Sequence, residues 1–270
     1  MSSYVITGAS RGIGWAFLSN LSSNPSNTVI VIVRNKPGTE KRVAQEFPGR
    51  ANIHVLQADL NDYKTLETAA TDTAKITGGS LDYLIANAAY LTTWDHFDPI
   101  GTLGKNPTAL EENLLANFKT NTVAQIHLFN LFTPLILRGA AKKVIAISSG
   151  HADIDLVAKF NLGNASSYAI SKVALNMAIA KFSAQYHGDG VLFLSISPGV
   201  VDTGHFDHLT EEQLPGATSM FAKFKEYAPT FNGATTPEGS VKDMLDVIEN
   251  ATVEKDAGAS LSHKGNRTWI

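Results

Sequence analysis

Short runs of β-branched and aliphatic residues recur at 4–7, 28–33, 53–57, 82–86, 143–148 and 191–196, each apolar almost without a break. A strand with one wet face alternates polar and apolar positions, whereas a strand covered on both faces does not, so these runs predict a sheet buried front and back. Between them lie stretches with helical spacing at 12–21, 39–47, 63–76, 109–137, 167–186 and 238–249. Strand and helix in alternation predict an α/β fold: a doubly wound, mostly parallel sheet with helices on both faces. A shorter seventh strand is expected at 258–262. Three stretches, 90–108, 150–166 and 203–233, hold neither period and read as irregular. In a doubly wound sheet, ligands bind beyond the carboxyl ends of the strands, and by position these are the substrate loops. The last carries Phe206, Leu209, Leu214, Met220, Phe221, Phe224, Tyr227 and Phe231. That stripe suits a lid over an apolar ligand, or equally a small helix packed on the core. Trp94 and Phe97 are similar candidates in the first loop.

Composition narrows the class. The length of 270 residues suits one domain over 1–270, with 203–233 as a lid insertion within it. A net charge of −3 with 22 scattered basic residues disfavours nucleic acid as a partner. No cysteine is present, which removes disulfides, thiolate nucleophiles and cysteine-ligated metals. No apolar run reaches membrane-spanning length, and the first strand begins near Tyr4 without room for a leader, so a soluble cytoplasmic protein is expected. The Asn164, Asn250 and Asn266 sequons then carry little weight. His205 and His208 stand three apart beside Asp202 and Asp207, but ordinary loop residues are expected there and no metal.

The first run leads directly into TGASRGIG at residues 7–14. Gly8 and Gly12 let the backbone turn and approach a pyrophosphate, Gly14 allows close packing of helix on sheet, and the amides that open the helix face the anion. A dinucleotide cofactor is therefore expected. Arg34 ends the second run, 20 residues beyond Gly14, and is followed by Asn35 and Lys36. An acidic residue here would accept from a ribose 2′-hydroxyl; arginine instead suits a 2′-phosphate, and with Arg11 in the turn two guanidinium groups can flank it. NADPH/NADP+ is the expected cofactor. Asp59 follows the third run, placed for an adenine amino group, and Asn87 ends the fourth with the amide chemistry to bridge neighbouring strands.

The fifth run ends in AISSG, and 19 residues past Ser149 comes Tyr168 in SSYAISK, with Lys172 one helical turn further. Both side chains emerge from one helix face, so the ammonium is expected to lower the phenol's pKa and make it a usable proton donor. His151, just after Ser149, reads equally as a substrate hydrogen-bonding group or a solvated loop histidine.

Taken in this order, TGASRGIG, ANAA, SYAISK and SPGVVDT at 197–203 resemble the motifs of the short-chain dehydrogenase/reductase (SDR) family over nearly the whole chain. TPEGSVKDMLDVIE and GASLSHKG look like its carbonyl-reductase, sniffer and C-factor branch. The resemblance implies a Rossmann fold and a catalytic set of Asn121, Ser149, Tyr168 and Lys172. Tyr168 would be the acid/base, Lys172 would bind the nicotinamide ribose, Ser149 would orient the carbonyl, and Asn121 would hold a proton-relay water. Cofactor contacts would come from Gly8, Ser10, Arg11, Gly12, Ile13, Gly14, Arg34, Asn35, Asp59, Leu60, Asn87, Tyr168, Lys172, Pro198, Gly199, Val201 and Thr203. Two departures stand out. ANAA replaces the family's NNAG, and the interval from Ser149 to Tyr168 is longer than usual, which leaves Ser148 as a rival serine and sends HADIDLVAKFNLGNAS across the active-site mouth.

The implied activity is reduction of a ketone or aldehyde on a small to medium apolar carbonyl compound, reversible with alcohol oxidation. The alternatives are a non-catalytic protein that senses the nicotinamide cofactor, or a relative catalysing dehydration or isomerisation. The apolar positions on the helices of Asn121 and Tyr168 leave room for a homodimer or homotetramer, and equally for ordinary packing.

Overall fold

In the computed structural model, which describes residues 1–270 apart from Phe206 and His208, the apolar runs form one seven-stranded parallel sheet. In chain order the elements are β1 (Ser3–Thr7), α1 (Gly12–Leu21), β2 (Thr28–Val33), α2 (Lys36–Glu46), β3 (Ile53–Gln57), α3 (Tyr63–Thr77) and β4 (Tyr83–Ala86). Then come α4 (Ile100–Leu103), α5 (Pro107–Phe118), a π-helical turn (Lys119–Val123), α6 (Ala124–Ile136) and β5 (Lys143–Ile147). The chain continues through a 3₁₀ turn (Gly150–Ala152), α7 (Ile154–Phe160), α8 (Ser166–Tyr186) and β6 (Leu192–Ser197). It closes with α9 (Leu214–Tyr227), α10 (Pro237–Asn250), α11 (Val253–Asp256) and β7 (Ser260–Ser262).

The strand order is β3-β2-β1-β4-β5-β6-β7, every pair parallel. The order reverses between β1 and β4, in register Tyr4 with Tyr83 and Ile6 with Ile85, which opens the crevice where such folds bind ligands. On one face Val5, Ile30, Leu84 and Phe193 pack against Leu66 of α3, Phe129 of α6 and Ile179 of α8. On the other, Ile6, Val31, Ile145 and Leu194 meet Phe17 of α1 and Met244 of α10. Both layers exclude water, which is why the strands read as unbroken apolar runs.

Three stretches expected to be irregular contain helices. The segment 90–108 holds α4, 150–166 holds the 3₁₀ turn and α7, and 203–233 holds α9. α7 is too short for a periodic signal and is instead defined by its cap, Asp153, whose Oδ1 accepts from the amides of Asp155 and Leu156 at 3.0 Å each. α9 buries Ala217, Met220 and Phe224, at the spacing of one helix face, with Phe97, Leu156, Leu162 and Trp269 in a third apolar cluster. The aromatic stripe thus forms a helix packed over the loops. Of the residues assigned to that stripe, Phe206 lies outside the described residues, as does His208 of the histidine pair.

The single helix expected over 109–137 is interrupted. At Lys119–Val123 the backbone widens into the π turn, which brings Asn121 and Thr122 inward. Thr122 Oγ1 then donates to the Ser171 carbonyl at 2.9 Å and locks this turn to α8. α2 begins at Lys36, earlier than expected, because Asn35 Oδ1 caps it by accepting from the Gly38 amide at 3.0 Å with Pro37 in the first turn.

Candidate active site

The carboxyl end of β1 runs into the glycine turn, and the geometry there leaves no room for side chains. Gly8 has φ +72, and a Cβ on it would lie 2.8 Å from Ala88 Cα; one on Gly14 would lie 2.5 Å from the Gly8 carbonyl oxygen and 2.6 Å from Asn87 Nδ2. Gly12 has φ +56 and faces Thr203, whose Cγ2 would be 3.2 Å from an added Cβ. The turn delivers the chain to α1, where Arg11 stands at the N-cap in extended backbone with no side-chain cap. A helix of this length without a cap leaves first-turn amides to pair with something else, and an anion is the natural partner. Glycine cradle and uncapped helix together fit the diphosphate of a dinucleotide. Ile13 packs into the core beneath the turn. Ser10 and Arg11 are exposed on it.

The turn is held by a set of contacts of which the sequence marks only Asn87. Thr7 Oγ1 accepts from the amides of Asn87 and Ala88, both at 3.1 Å. Asn87 Nδ2 donates to the Thr7 carbonyl at 2.9 Å and the Gly8 carbonyl at 3.3 Å, so Asn87 does bridge β4 to β1. Gln125 Nε2 donates to the Ala88 carbonyl at 2.9 Å. Arg42 lies over the Trp15 ring at 3.8 Å and donates from Nη1 to the Ser10 carbonyl at 3.0 Å, while Glu46 pairs with its Nε at 2.7 Å. Thr7 adjoins Gly8 in the chain, whereas Gln125 and Arg42 reach the turn from α6 and α2. At the ANAA departure, Ala89 does not adopt left-handed backbone, since the described non-glycine residues that do are Lys142, Asn161 and Ala165.

Along the rim, Arg34 is exposed at the end of β2. Asp59 is exposed after β3, its Oδ1 accepting from the Asn61 amide at 2.9 Å, and Leu60 packs on the core. On the far side of the crevice the Pro198 carbonyl accepts from Ser240 Oγ at 2.7 Å, Val201 pairs with Thr235, and Gly199 has φ +79 with His263 Cε1 2.8 Å from an added Cβ. Arg11 lies near enough to His205 that, after burial, its charge helps to hold the imidazole below its usual range.

Beyond β5 the two serines separate. Ser148 is buried and its Oγ donates to Asn176 Oδ1 at 2.7 Å, whereas the Ser149 hydroxyl lies beside the Tyr168 phenol, where it works to lower the phenol's pKa. Ser149 also accepts from the His151 amide at 3.2 Å. Ser149 is therefore the serine that faces the tyrosine. One turn along α8, Lys172 is buried, its Nζ donating to the Ile147 carbonyl at 2.7 Å and lying 5.5 Å from the Tyr168 ring centroid.

The expected acidification of the phenol is not what this protein environment produces. Burial pushes Tyr168 up to about 12, with the Ser149 hydroxyl working in the opposite direction. Burial also brings Lys172 down to about 7, so near neutrality the ammonium is only partly charged and cannot outweigh the loss of water around the phenol. Tyr168 is a protonated phenol over the whole physiological range.

Asn121 is buried, and its side chain is fully engaged. Oδ1 accepts from the Tyr90 amide at 2.7 Å, while Nδ2 donates to the Tyr90 carbonyl at 2.9 Å, Ser171 Oγ at 3.0 Å and Asn117 Oδ1 at 3.2 Å. Ser171 Oγ in turn donates to the Tyr168 carbonyl at 2.7 Å. Through these bonds the Asn121 side chain ties the 90–108 loop to the helix carrying the tyrosine. Asp95, which no motif marked, does similar work: it is buried, and its Oδ2 accepts from the Ser167 amide at 3.1 Å.

Such a doubly wound sheet, with a glycine cradle at its crevice and a serine, tyrosine and lysine converging beyond β5, defines a class of nucleotide-dependent oxidoreductases. The family model described as short chain dehydrogenase matches residues 3–214, and the chain belongs to that family, whose chemistry uses a nicotinamide nucleotide. Among individual relatives, it is 57% identical over 271 residues to the short chain dehydrogenase virK of Hypocrea virens, covering all of both chains. It is 49% identical over 272 residues to the short-chain dehydrogenase/reductase iacC of Pestalotiopsis fici, again end to end. A solved structure, the NADPH-bound carbonyl reductase from chicken fatty liver, is similar with 25% identity, a TM-score of 0.75 and 98% of each chain covered. The carbonyl reductase Sniffer of D. melanogaster shares the fold, with a TM-score of 0.76, 21% identity and 98% of each chain covered.

Proposed function

We propose that this oxidoreductase is an NADPH-dependent reductase of ketones or aldehydes, reversible with alcohol oxidation, acting on a small to medium apolar carbonyl compound. The observation that carries the reading is the convergence of Ser149, Tyr168 and Lys172 beyond β5, with Lys172 Nζ 5.5 Å from the Tyr168 ring centroid, beside the glycine cradle. NADPH held in the cradle would supply the hydride. Arg34 and Arg11 would hold the 2′-phosphate, Asp59 the adenine, and Thr203, Pro198, Gly199 and Val201 the nicotinamide end; Lys172 and Tyr168 would face its ribose.

As the hydride reaches the carbonyl carbon, the π pair moves to oxygen, and Tyr168 gives its phenolic proton to that oxygen. Ser149 donates to the same oxygen while its charge builds. A phenol held near 12 is reliably protonated before the step, which suits reduction. Lys172, held by Ile147, then faces the phenolate that remains. Asn121 acts through structure rather than through the reacting atoms, as a positioning residue.

The chain would work as one unit over 1–270, with 203–233 as the lid. No helix among the described residues is long and apolar enough to cross a membrane, which is compatible with a cytosolic site of action. Leu115 and Phe118 on α5 and Ile170 and Met177 on α8 are exposed apolar side chains on two helices that pack together, which supports a homodimer or homotetramer through that face. Tyr168→Phe tests the central role: the variant is expected to keep NADPH binding and to lose roughly 10²–10⁴ in turnover. Near-native turnover in that variant would remove Tyr168 from the mechanism.

A further inference from the structure

Tyr168 stands in the first turn of α8, and that turn starts from strained backbone. Ala165, at the N-cap, is fully buried with a left-handed φ of +51 and offers no side chain to cap the helix. Such backbone is unfavourable for alanine and persists only where the surroundings enforce it. The second and third amides of a helix ordinarily bond to the side chain of the N-cap residue. Here the acceptor comes from elsewhere in the chain. Asp95, 72 residues upstream and fully buried, accepts from the Ser167 amide through Oδ2 at 3.1 Å, and its carbonyl accepts from the Ala165 amide at 3.1 Å. One residue thus fixes both backbone positions, 165 and 167, that lead into Tyr168.

A carboxylate with no exposed surface needs donors in place of its hydration. The Ser167 amide and the positive end of α8 supply part of that, and Thr92 Oγ1 donates to Oδ1 at 3.1 Å. Thr92 Oγ1 accepts in turn from Asn113 Nδ2 at 3.0 Å. Asn117 and Asn121, each one helical turn further, carry this line of buried amides to Ser171 Oγ and so to the Tyr168 carbonyl. The line therefore leaves Asp95 and returns to the tyrosine itself. The backbone around Asp95 is held as well: Gln213 Nε2 donates to the Thr93 carbonyl at 3.0 Å and Asn164 Nδ2 to the His96 carbonyl at 3.2 Å. A Cβ on Gly216 of α9 would lie 2.5 Å from the Phe97 carbonyl oxygen, so that helix packs directly on the same segment.

We propose that Asp95 is a positioning residue for the reaction: by capping α8 from outside the helix, it holds the strained turn at Ala165 and aims the Tyr168 phenol. The inference rests on the reductase reading for the role of Tyr168. Asp95→Ala removes the cap, whereas Asp95→Asn keeps an acceptor for the Ser167 amide and removes the charge. In steady-state NADPH oxidation with 4-nitrobenzaldehyde and cyclohexanone, Asp95→Ala is expected to lose roughly 10–100-fold in kcat, the scale of a small misplacement of a reacting group. Its KM for NADPH stays near native, because the glycine cradle is untouched. Asp95→Asn is expected to remain within about threefold of native kcat, since asparagine caps as well as aspartate. Amide exchange read by mass spectrometry on the peptide containing Ser167 is expected to quicken about tenfold in Asp95→Ala and little in Asp95→Asn. Native kcat or unchanged Ser167 exchange in Asp95→Ala, or equal losses in the two variants, overturns the proposal. Should Asp95→Ala not fold, Asp95→Asn still decides, because a tenfold loss of kcat there overturns the cap. No turnover in the native protein, or native-like turnover in Tyr168→Phe, sinks the reductase reading instead, and exchange at Ser167 then decides the cap by itself.

Discussion

Ser148 and Ser149 are adjacent and chemically identical, yet the structure gives them opposite jobs, and replacing each by alanine separates the two. Ser148 Oγ donates to Asn176 Oδ1 at 2.7 Å, and Asn176 Nδ2 donates onward to Ser260 Oγ at 3.3 Å, so this hydroxyl links β5 to α8 and β7. Removing it leaves a partly buried acceptor unpaired, which costs about 1–3 kcal/mol. For a chain of this length about 1 kcal/mol moves the melting temperature by roughly 2 °C, so Ser148→Ala is expected to melt about 2–6 °C lower with turnover close to native. Ser149 instead lies beside the Tyr168 phenol, where its hydroxyl works to lower the phenol's pKa. Loss of one donor to a developing oxyanion costs about 10²–10³ in turnover, so Ser149→Ala is expected to lose that much with little change in melting. Calorimetric melting and steady-state NADPH oxidation on the two purified variants supply both readouts. If Ser148→Ala lost turnover while Ser149→Ala kept it, the orientation of this turn would be wrong and the catalytic reading would fall with it.

Arg34→Ala is expected to reduce the preference for NADPH over NADH by roughly tenfold, as one charge-assisted contact to a phosphate is lost, and to do so less at high salt; equal Michaelis constants for the two cofactors in the native enzyme would refute the assignment. Gly14→Ala pushes a methyl to 2.5 Å from the Gly8 carbonyl oxygen and is expected to cost about 1–3 kcal/mol in urea unfolding, whereas Gly101→Ala, with open space around it, is expected to be neutral or slightly stabilising. Lys172 links stability to pH. With a pKa brought from 10.5 to about 7 by burial, it is protonated in both states below about pH 7; above that the unfolded chain binds the extra proton, and stability rises with pH until about 10.5. Lys172→Met is expected to flatten that part of the urea-stability profile, and an unchanged slope would show that the lysine is solvated.

Much of the architecture was legible because it depends on local chemistry. Unbroken apolar runs mark strands covered on both faces, and TGASRGIG marks a turn that only glycine can make beside Ala88 and Asn87. The spacing of Tyr168 and Lys172 puts both on one face of α8 because a helix repeats every 3.6 residues. Long-range consequences were not legible in the same way. The π turn that brings Asn121 inward depends on its fit to Ser171, 50 residues away, and Asp95 reaches the start of α8 from 72 residues upstream. α7 is too short to show a helical period, and α9, open in the sequence as either a lid or a packed helix, is fixed by a cluster drawn from four separate segments.

The sequence by itself determined the sheet, the glycine cradle and the pairing of tyrosine with lysine, since each rests on side-chain types at fixed short spacing. Only the tertiary structure decided which serine faces the phenol and that Asn121 braces a loop. It also reversed the expected shift of the phenol, because burial acts on tyrosine and lysine alike and depends on everything packed around them.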